Sequence, residues 1–134
     1  MKIFCAEIWN PISIEECDVF KNGALVVNNC GLIEDVGDFY KIKKKYLNAQ
    51  ILEFKDSIIL PGFIDSHLHY PQLDIIGSYG KDLLGWLNEY TFKKELEVNK
   101  NINYARDVSL RFWDELLSNG VTTAAIYSTS SYKV

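Results

Sequence analysis

The sequence predicts an α/β fold in which an N-terminal β portion precedes a strand–helix–strand segment. Three observations predict it. The first 60 residues carry short apolar runs between turn signals, an amphipathic helical pattern follows residue 101, and a β-branched apolar run comes directly after that helix. Strand, helix and strand in this order imply parallel pairing of the two strands. We therefore divide the chain into residues 1–60 and residues 61–134.

Composition narrows the class of protein. The chain has 134 residues, a formal net charge of −4 and 48% hydrophobic residues, which excludes a disordered chain and argues against a nucleic-acid binder. Its apolar runs are too short to cross a bilayer, and no secretory signal opens the sequence. The three cysteines form no C-x-x-C pair, so we expect free thiols and a cytoplasmic location.

Turn signals organise the N-terminal portion. Asn22-Gly23 predicts a turn that introduces a short buried strand over residues 24–27. A second turn over residues 28–31 returns the chain along residues 32–36, so we expect a hairpin. The basic run Lys41–Lys45 has no aromatic ladder, which favours a solvated edge over a nucleic-acid surface.

The second portion begins at the break Pro61-Gly62, after which Phe63–His69 is predicted as a strand. In a regular strand Phe63, Asp65, His67 and His69 share one face, opposite Ile64, Ser66 and Leu68. Residues 81–90 are predicted as a helix. Its apolar stripe consists of Leu83, Leu84, Leu87 and Tyr90, of which Leu84 and Leu87 are expected to pack inward.

A second helix follows, and its limits are marked clearly. Asn101 or Asn103 can cap its start, and Asn119-Gly120 ends it. Residues 121–127 then form the second strand of the predicted parallel pair. The positions at helical spacing that we expect to be buried are Ala105, Val108, Phe112 and Leu116.

The segment Asp65-Ser66-His67-Leu68-His69 is the one constellation that carries recognisable chemistry, and it holds the only two histidines of the sequence. Two residues apart in a strand, His67 and His69 can direct their rings toward one ion, and neutral imidazole suits zinc or iron(II). Asp65 can order a ligand or the end of the strand by hydrogen bonding. From the residues alone, an exposed strand face that binds nothing remains an equal alternative.

Several segments together carry a resemblance to a known family. The first resembles the first-strand signature of the amidohydrolase superfamily, and the combination is similar to its guanine deaminases of the bacterial type. These segments are Pro61–His69, Tyr70-Pro71-Gln72, Gly77–Gly80, Leu83–Phe92 and Asn119–Ala124.

The resemblance implies a fold and a chemistry. The fold would be the first βα units of a (β/α)8 barrel, preceded by the N-terminal portion of a composite β-sandwich. His67 and His69 match the first two metal ligands, Gln72 matches a glutamine that hydrogen-bonds the purine, and Trp86 lies near the substrate-side helix. The implied metal is zinc, with iron possible. The implied reaction converts guanine and water into xanthine and ammonia, and family members tend to be homodimers.

The resemblance also implies residues that this sequence lacks, namely two further histidines, a proton-transferring glutamate and an aspartate. No third histidine occurs, and a complete barrel needs about 250 residues. We therefore expect a truncated N-terminal part without catalytic residues of its own and without deaminase activity. The alternatives are a part of another amidohydrolase, of the cytosine deaminase or chlorinated-triazine hydrolase type, or a remnant with a structural role.

The sequence departs from the family pattern at two places. Phe92 is followed by Lys93-Lys94-Glu95 where relatives carry a proline, which we interpret as a change in a helix-end turn. The run Tyr127–Val134 lacks a histidine that relatives often carry after this strand. The sequence has either drifted there or left its frame.

Overall fold

A computed structural model of the chain describes residues 1–132. Residues 133 and 134, the end of the predicted second portion and of the run Tyr127–Val134, lie outside the described residues. Internal contacts divide the chain into two compact units, Met1–Pro61 and Gly62–Val134, called here the N-terminal and the C-terminal unit. The elements confirm a mixed α/β protein. The two units' identities as a sandwich portion and a barrel segment stay predictions.

The N-terminal unit is a four-stranded sheet with one helix. The elements are β1 (Lys2–Pro11), β2 (Cys17–Val27), β3 (Ile33–Asp38), α1 (Phe39–Lys45) and β4 (Gln50–Ile59). In the sheet order β3-β2-β1-β4, β2 pairs antiparallel with β1 and β3, and β1 pairs parallel with β4. The buried core consists of Ile3, Ala24, Val26 and Ile42.

The predicted hairpin is confirmed as the β2–β3 pair, but the turn predicted at Asn22-Gly23 is wrong. Both residues lie inside β2, opposite an irregularity of β1 between Ala6 and Ile8. A Cβ atom on Gly23 would lie 2.5 Å from Cγ1 of Ile8. The glycine therefore allows two strands to approach closely at a bulge, which is the other common role of glycine in a strand.

The basic run Lys41–Lys45 is exposed at its lysines, as expected of a solvated edge, and it forms most of helix α1. The side chain of Asp38 accepts hydrogen bonds from the backbone N–H groups of Tyr40 and Lys41 and so caps the helix. Ile42, which is buried, anchors the helix on the sheet. A capping aspartate and one apolar anchor thus stabilise a helix too short to show a periodic pattern.

The C-terminal unit contains one parallel pair of strands and a series of helices. The elements are β5 (Phe63–His69), a 3-10 helix (Tyr70–Ile75), α2 (Leu83–Trp86), a π-helical turn (Leu87–Thr91), α3 (Phe92–Lys100), α4 (Ile102–Ser118) and β6 (Val121–Tyr127). Strand β5 pairs with β6, and the backbone N–H of Phe63 donates to the carbonyl of Gly120 at 2.8 Å.

Helix α4 and the parallel strands confirm the strand–helix–strand prediction. The side chain of Asn101, not that of Asn103, caps α4 by accepting from the N–H of Tyr104 at 3.1 Å. Asn119 ends the helix, and Gly120 follows with a φ of 77°, a conformation that favours glycine. The four predicted core positions Ala105, Val108, Phe112 and Leu116 are the buried residues of the helix.

The helical stretch before α4 is longer than the sequence suggested. Phe92 begins α3, so the predicted helix-end turn is wrong, because Lys93-Lys94-Glu95 are helix formers that nothing interrupts. The predicted packing of Leu84 is also wrong, since its exposed fraction is 69%. The π-helical turn shifts the residue spacing, and the buried positions of this stretch are Thr91 and Val98. Within residues 1–132 no helix has the length and apolar character needed to span a membrane.

Candidate metal centre

The two histidines lie at the carboxyl end of β5, where the strand departs from regular alternation. Asp65 pairs with Ala124, Leu68 with Ile126 and His69 with Tyr127. Strand β5 therefore uses three steps where β6 uses two, which is the residue count of a bulge. The register also shifts between Phe63 and Ile64, so the single shared face predicted for Phe63–His69 is interrupted.

Asp65 stabilises this bulge from within the strand. Its Oδ1 accepts a hydrogen bond from the backbone N–H of His67 at 3.0 Å. Of the two roles that the sequence left open for Asp65, the described contact corresponds to ordering of the strand end. This hydrogen bond orders the backbone of His67 and makes no contact with its ring.

The rings of His67 and His69 converge. Their Nε2 atoms are 3.1 Å apart, and the ring centroids are 5.0 Å apart with an interplanar angle of 64°. Two nitrogens bound at zinc distances to one tetrahedral ion are separated by about 3.3 Å. The pair therefore fits two positions of one zinc or iron(II) ion. His67 is exposed and His69 is half-buried, so the donors are accessible.

A third aromatic ring completes the cluster, and sequence reasoning missed it. The ring of Tyr127 lies 4.7 Å from that of His67 and 5.0 Å from that of His69, nearly parallel to the latter at 18°. One signal could have found it. Tyr127 ends the strand that was predicted to run parallel to the histidine strand, and the carboxyl ends of adjacent parallel strands meet at one edge.

The predicted substrate-side residues make other contacts. Gln72 lies in the 3-10 helix, where its Nε2 donates to Oε1 of Glu95 at 3.4 Å. The Nε1 of Trp86 donates to Oγ of Ser78 at 3.0 Å. The structure thus brings His67 and His69 together as expected, whereas the described contacts of Gln72 and Trp86 are with residues outside that pair.

An ionic network fixes the 3-10 helix that carries Gln72. The guanidinium of Arg111 binds Asp74 through two hydrogen bonds of 2.6 and 3.1 Å, and the hydroxyl of Tyr104 also donates to Asp74. These contacts, with that of Arg111 first, lower the pKa of Asp74 to about 2. Lys94 donates to Glu97 and to the Tyr104 oxygen, and both contacts raise the pKa of Lys94 to about 12. Two side chains of α4 therefore hold this helix directly, and Lys94 of α3 supports it through Tyr104.

Among the residues that the structure describes, no group of three or more histidine, cysteine, aspartate or glutamate side chains could hold a metal ion. The two imidazoles are one donor short of the three protein ligands usual for a catalytic zinc. Within the described part of the chain, the centre is therefore a pair of ligands rather than a complete site.

Comparison with known proteins gives consistent matches. The sequence model described as "Amidohydrolase family" matches residues 58–133. The chain is 36% identical to the guanine deaminase of Escherichia coli over 121 residues, which cover 90% of this chain and 27% of that protein. The structure resembles guanine deaminase from Bradyrhizobium japonicum with a TM-score of 0.90 and 33% identity, covering 97% of this chain and 30% of the other.

A further solved structure, guanine deaminase from C. acetobutylicum with guanine bound in its active site, matches with a TM-score of 0.83 and 32% identity. It covers 96% of this chain and 30% of its own. The chain thus spans less than a third of the length of the relatives that it matches.

Proposed function

The chain belongs to the amidohydrolase family, and on that premise we propose that His67 and His69 are metal ligands of a hydrolytic centre. The observation that carries the proposal is the 3.1 Å separation of their Nε2 atoms at the carboxyl end of a parallel strand. Enzymes with parallel barrels keep their chemistry at that end. The donor type favours zinc, and iron(II) is the second choice.

The reaction proposed for the whole protein is hydrolysis of guanine to xanthine and ammonia. Its support is the set of relatives named guanine deaminase, one of which holds guanine in its active site. A bound zinc or iron ion would lower the pKa of water so that a nucleophile is available at neutral pH, which is the chemistry that this hydrolysis needs. In the overall reaction the oxygen of water would take the place of the amino group at C2 of the purine, and that group would leave as ammonia.

The residues of this chain would hold the ion and orient the base. His67 and His69 bind the ion, and Asp65 fixes the backbone of His67. Gln72 uses one N–H on Glu95, which leaves its carbonyl and its second N–H for the purine edge. Trp86, held by Ser78, would form part of the substrate side.

The family also gives a proposed setting for the two units. The C-terminal unit would be the first strand–helix–strand segment of a (β/α)8 barrel, and the N-terminal unit would be part of a composite β-sandwich. The support is the likeness to the guanine deaminase structures. A homodimer and a cytoplasmic location are proposed on the same family grounds.

We propose that the 134 residues by themselves do not deaminate guanine. They correspond to a fragment of an amidohydrolase, about 30% of the length of its relatives. With two histidines in the whole sequence, the ligand pair alone holds zinc weakly and leaves no defined general acid or base. The purified chain with added zinc should produce no xanthine above the rate without protein.

A chimera tests the function of the whole protein. The segment of Escherichia coli guanine deaminase that this chain matches is replaced by the chain, and xanthine formation is followed by ultraviolet absorbance. We expect zinc-dependent deamination, lost when His67 and His69 are both changed to alanine and kept in the control Leu110→Ala, whose side chain is 58% exposed. A chimera that is folded by circular dichroism and gel filtration but makes no xanthine would contradict the proposal.

A further inference from the structure

The ring of Tyr127 contacts both imidazoles of the proposed metal pair. We propose that Tyr127 is a positioning residue, whose ring holds His67 and His69 in the convergent orientation that binds one ion. This inference rests on the proposed metal-binding function and adds a residue from the second strand to it.

Backbone pairing places Tyr127 correctly for this role. In the parallel pair, Tyr127 lies opposite His69, and their rings are nearly parallel at 5.0 Å. The bulge on β5 brings His67 to the same place, with its ring 4.7 Å from that of Tyr127. One side chain of β6 therefore contacts two side chains that lie two residues apart on β5.

The imidazoles need such a support because little else restrains them. His67 is exposed, and Asp65 accepts a hydrogen bond from its backbone N–H rather than from its ring. The described contacts of the His67 ring are the 3.1 Å approach of its Nε2 to that of His69 and the contact with Tyr127. A ligand pair that must be ordered upon binding loses affinity, whereas a pair already ordered does not. Tyr127 is itself about half exposed, at 52%, and His67 is exposed while His69 is half-buried, so the contacts with Tyr127 leave the pair accessible.

The contacts of Tyr127 are ring contacts, and this makes the proposal specific. Phenylalanine keeps the ring, so Tyr127→Phe should preserve the arrangement. Leucine removes the ring while keeping an apolar side chain, and Tyr127→Val is a second ring-free variant that suits a strand. The control Tyr40→Leu makes the same change at an exposed tyrosine of the N-terminal unit, where the ring contacts Phe39.

The experiment uses zinc alone and the tag-free chain carrying Cys17→Ser and Cys30→Ser, which remove two exposed thiols that could bind zinc independently. Because the sequence has two histidines, every imidazole resonance in a long-range proton–nitrogen spectrum belongs to the proposed centre. Spectra are recorded at one fixed pH without metal, and zinc is then titrated by calorimetry. We expect Tyr127→Leu and Tyr127→Val to move both sets of imidazole resonances and to weaken zinc binding about threefold to tenfold, the range that an aromatic contact supplies.

The outcomes separate this inference from the function that it rests on. Unchanged resonances and affinity in the ring-free variants would overturn the positioning role, while loss of zinc binding in His67→Ala would leave the metal pair standing. Zinc binding that survives both His67→Ala and His69→Ala would overturn the metal pair itself. If Tyr127→Phe weakens zinc binding as much as Tyr127→Leu does, the phenol oxygen rather than the ring supports the histidines, and this also overturns the inference.

Discussion

The two units of the chain differ in what supports their strands. In the N-terminal unit, four strands pair with one another and bury Ile3, Ala24 and Val26 with one short helix. In the C-terminal unit two strands pair, and most of the buried core comes from the helices that pack against them. Because a two-stranded sheet is not stable alone, the parallel pair depends on helix packing. The proposed metal centre lies at the end of that pair, so its geometry also depends on helix packing.

The largest effect is expected from the buried helix residue Phe112. Phe112→Ala should destabilise the C-terminal unit by about 3–5 kcal/mol, since it removes a ring from the core that supports β5 and β6. Hydrogen exchange should show greater loss of protection in β5 and β6 than in β1 and β2.

The control for this change is Leu110→Ala in the same helix, where the side chain is 58% exposed and the expected change is within about 0.5 kcal/mol. Equal loss of protection in the sheets of both units would contradict the claim that β5 and β6 depend on this helix more than β1 and β2 do.

A smaller effect is expected where β5 begins. A Cβ atom on Gly62 would lie 2.0 Å from Oγ1 and 2.7 Å from Cβ of Thr122, on the neighbouring strand. Gly62→Ala should therefore force the strands apart and cost about 1–3 kcal/mol, measured by urea denaturation. Gly37→Ala in β3 of the N-terminal unit is the matched change, because nothing lies within 4 Å of its Cβ position. Equal losses in the two variants would show that close strand approach does not matter at Gly62.

The ion pairs of the two units should differ in how much stability they contribute and in how that contribution changes with pH. Hydrogen bonds from Arg111 and Tyr104 hold the pKa of Asp74 at about 2, below its ordinary value of 3.8. Asp74 therefore contributes stability that is fully present above pH 4 and is lost as the pH falls through 2. Asp74→Asn should cost about 1 kcal/mol at pH 6, less than the full pKa shift implies because the carboxylate is partly exposed.

The difference between Asp74→Asn and the unchanged chain, measured by urea denaturation, should shrink below pH 4. The comparison in the N-terminal unit is Asp35, which bonds Lys45, a side chain that is 65% exposed. Asp35→Asn should have the smaller effect of the two. If the difference in the free energy of unfolding between Asp74→Asn and the unchanged chain does not change with pH, the ion pair is not its cause.

The sequence predicted best where one element shows its own periodicity or cap. The sequence predicts helix α4 with a cap at Asn101 or Asn103, four buried residues and a stop at Asn119-Gly120, because all of these signals are local. The turn expected at Asn22-Gly23 failed because the glycine serves a contact with Ile8, which only the strand pairing reveals. The parallel pairing of β1 with β4 is equally non-local and left no signal in either strand.

The same division applies to the candidate site. The convergence of His67 and His69 followed from their spacing of two residues, although the bulge beneath them did not. Tyr127 was missed because its role depends on the register between β5 and β6, which strand composition does not specify. The partner of Gln72, Glu95, was missed because the helix that carries it was expected to end before that residue.

A zinc titration of the tag-free chain tests the central claim most directly. It is performed with Cys17→Ser and Cys30→Ser, which remove two exposed thiols that could bind zinc independently. We predict one zinc ion per chain, and loss of that binding in both His67→Ala and His69→Ala, with the circular dichroism spectrum unchanged. No binding in the parent chain, or binding that persists in both histidine variants, would contradict a shared metal site at the end of β5.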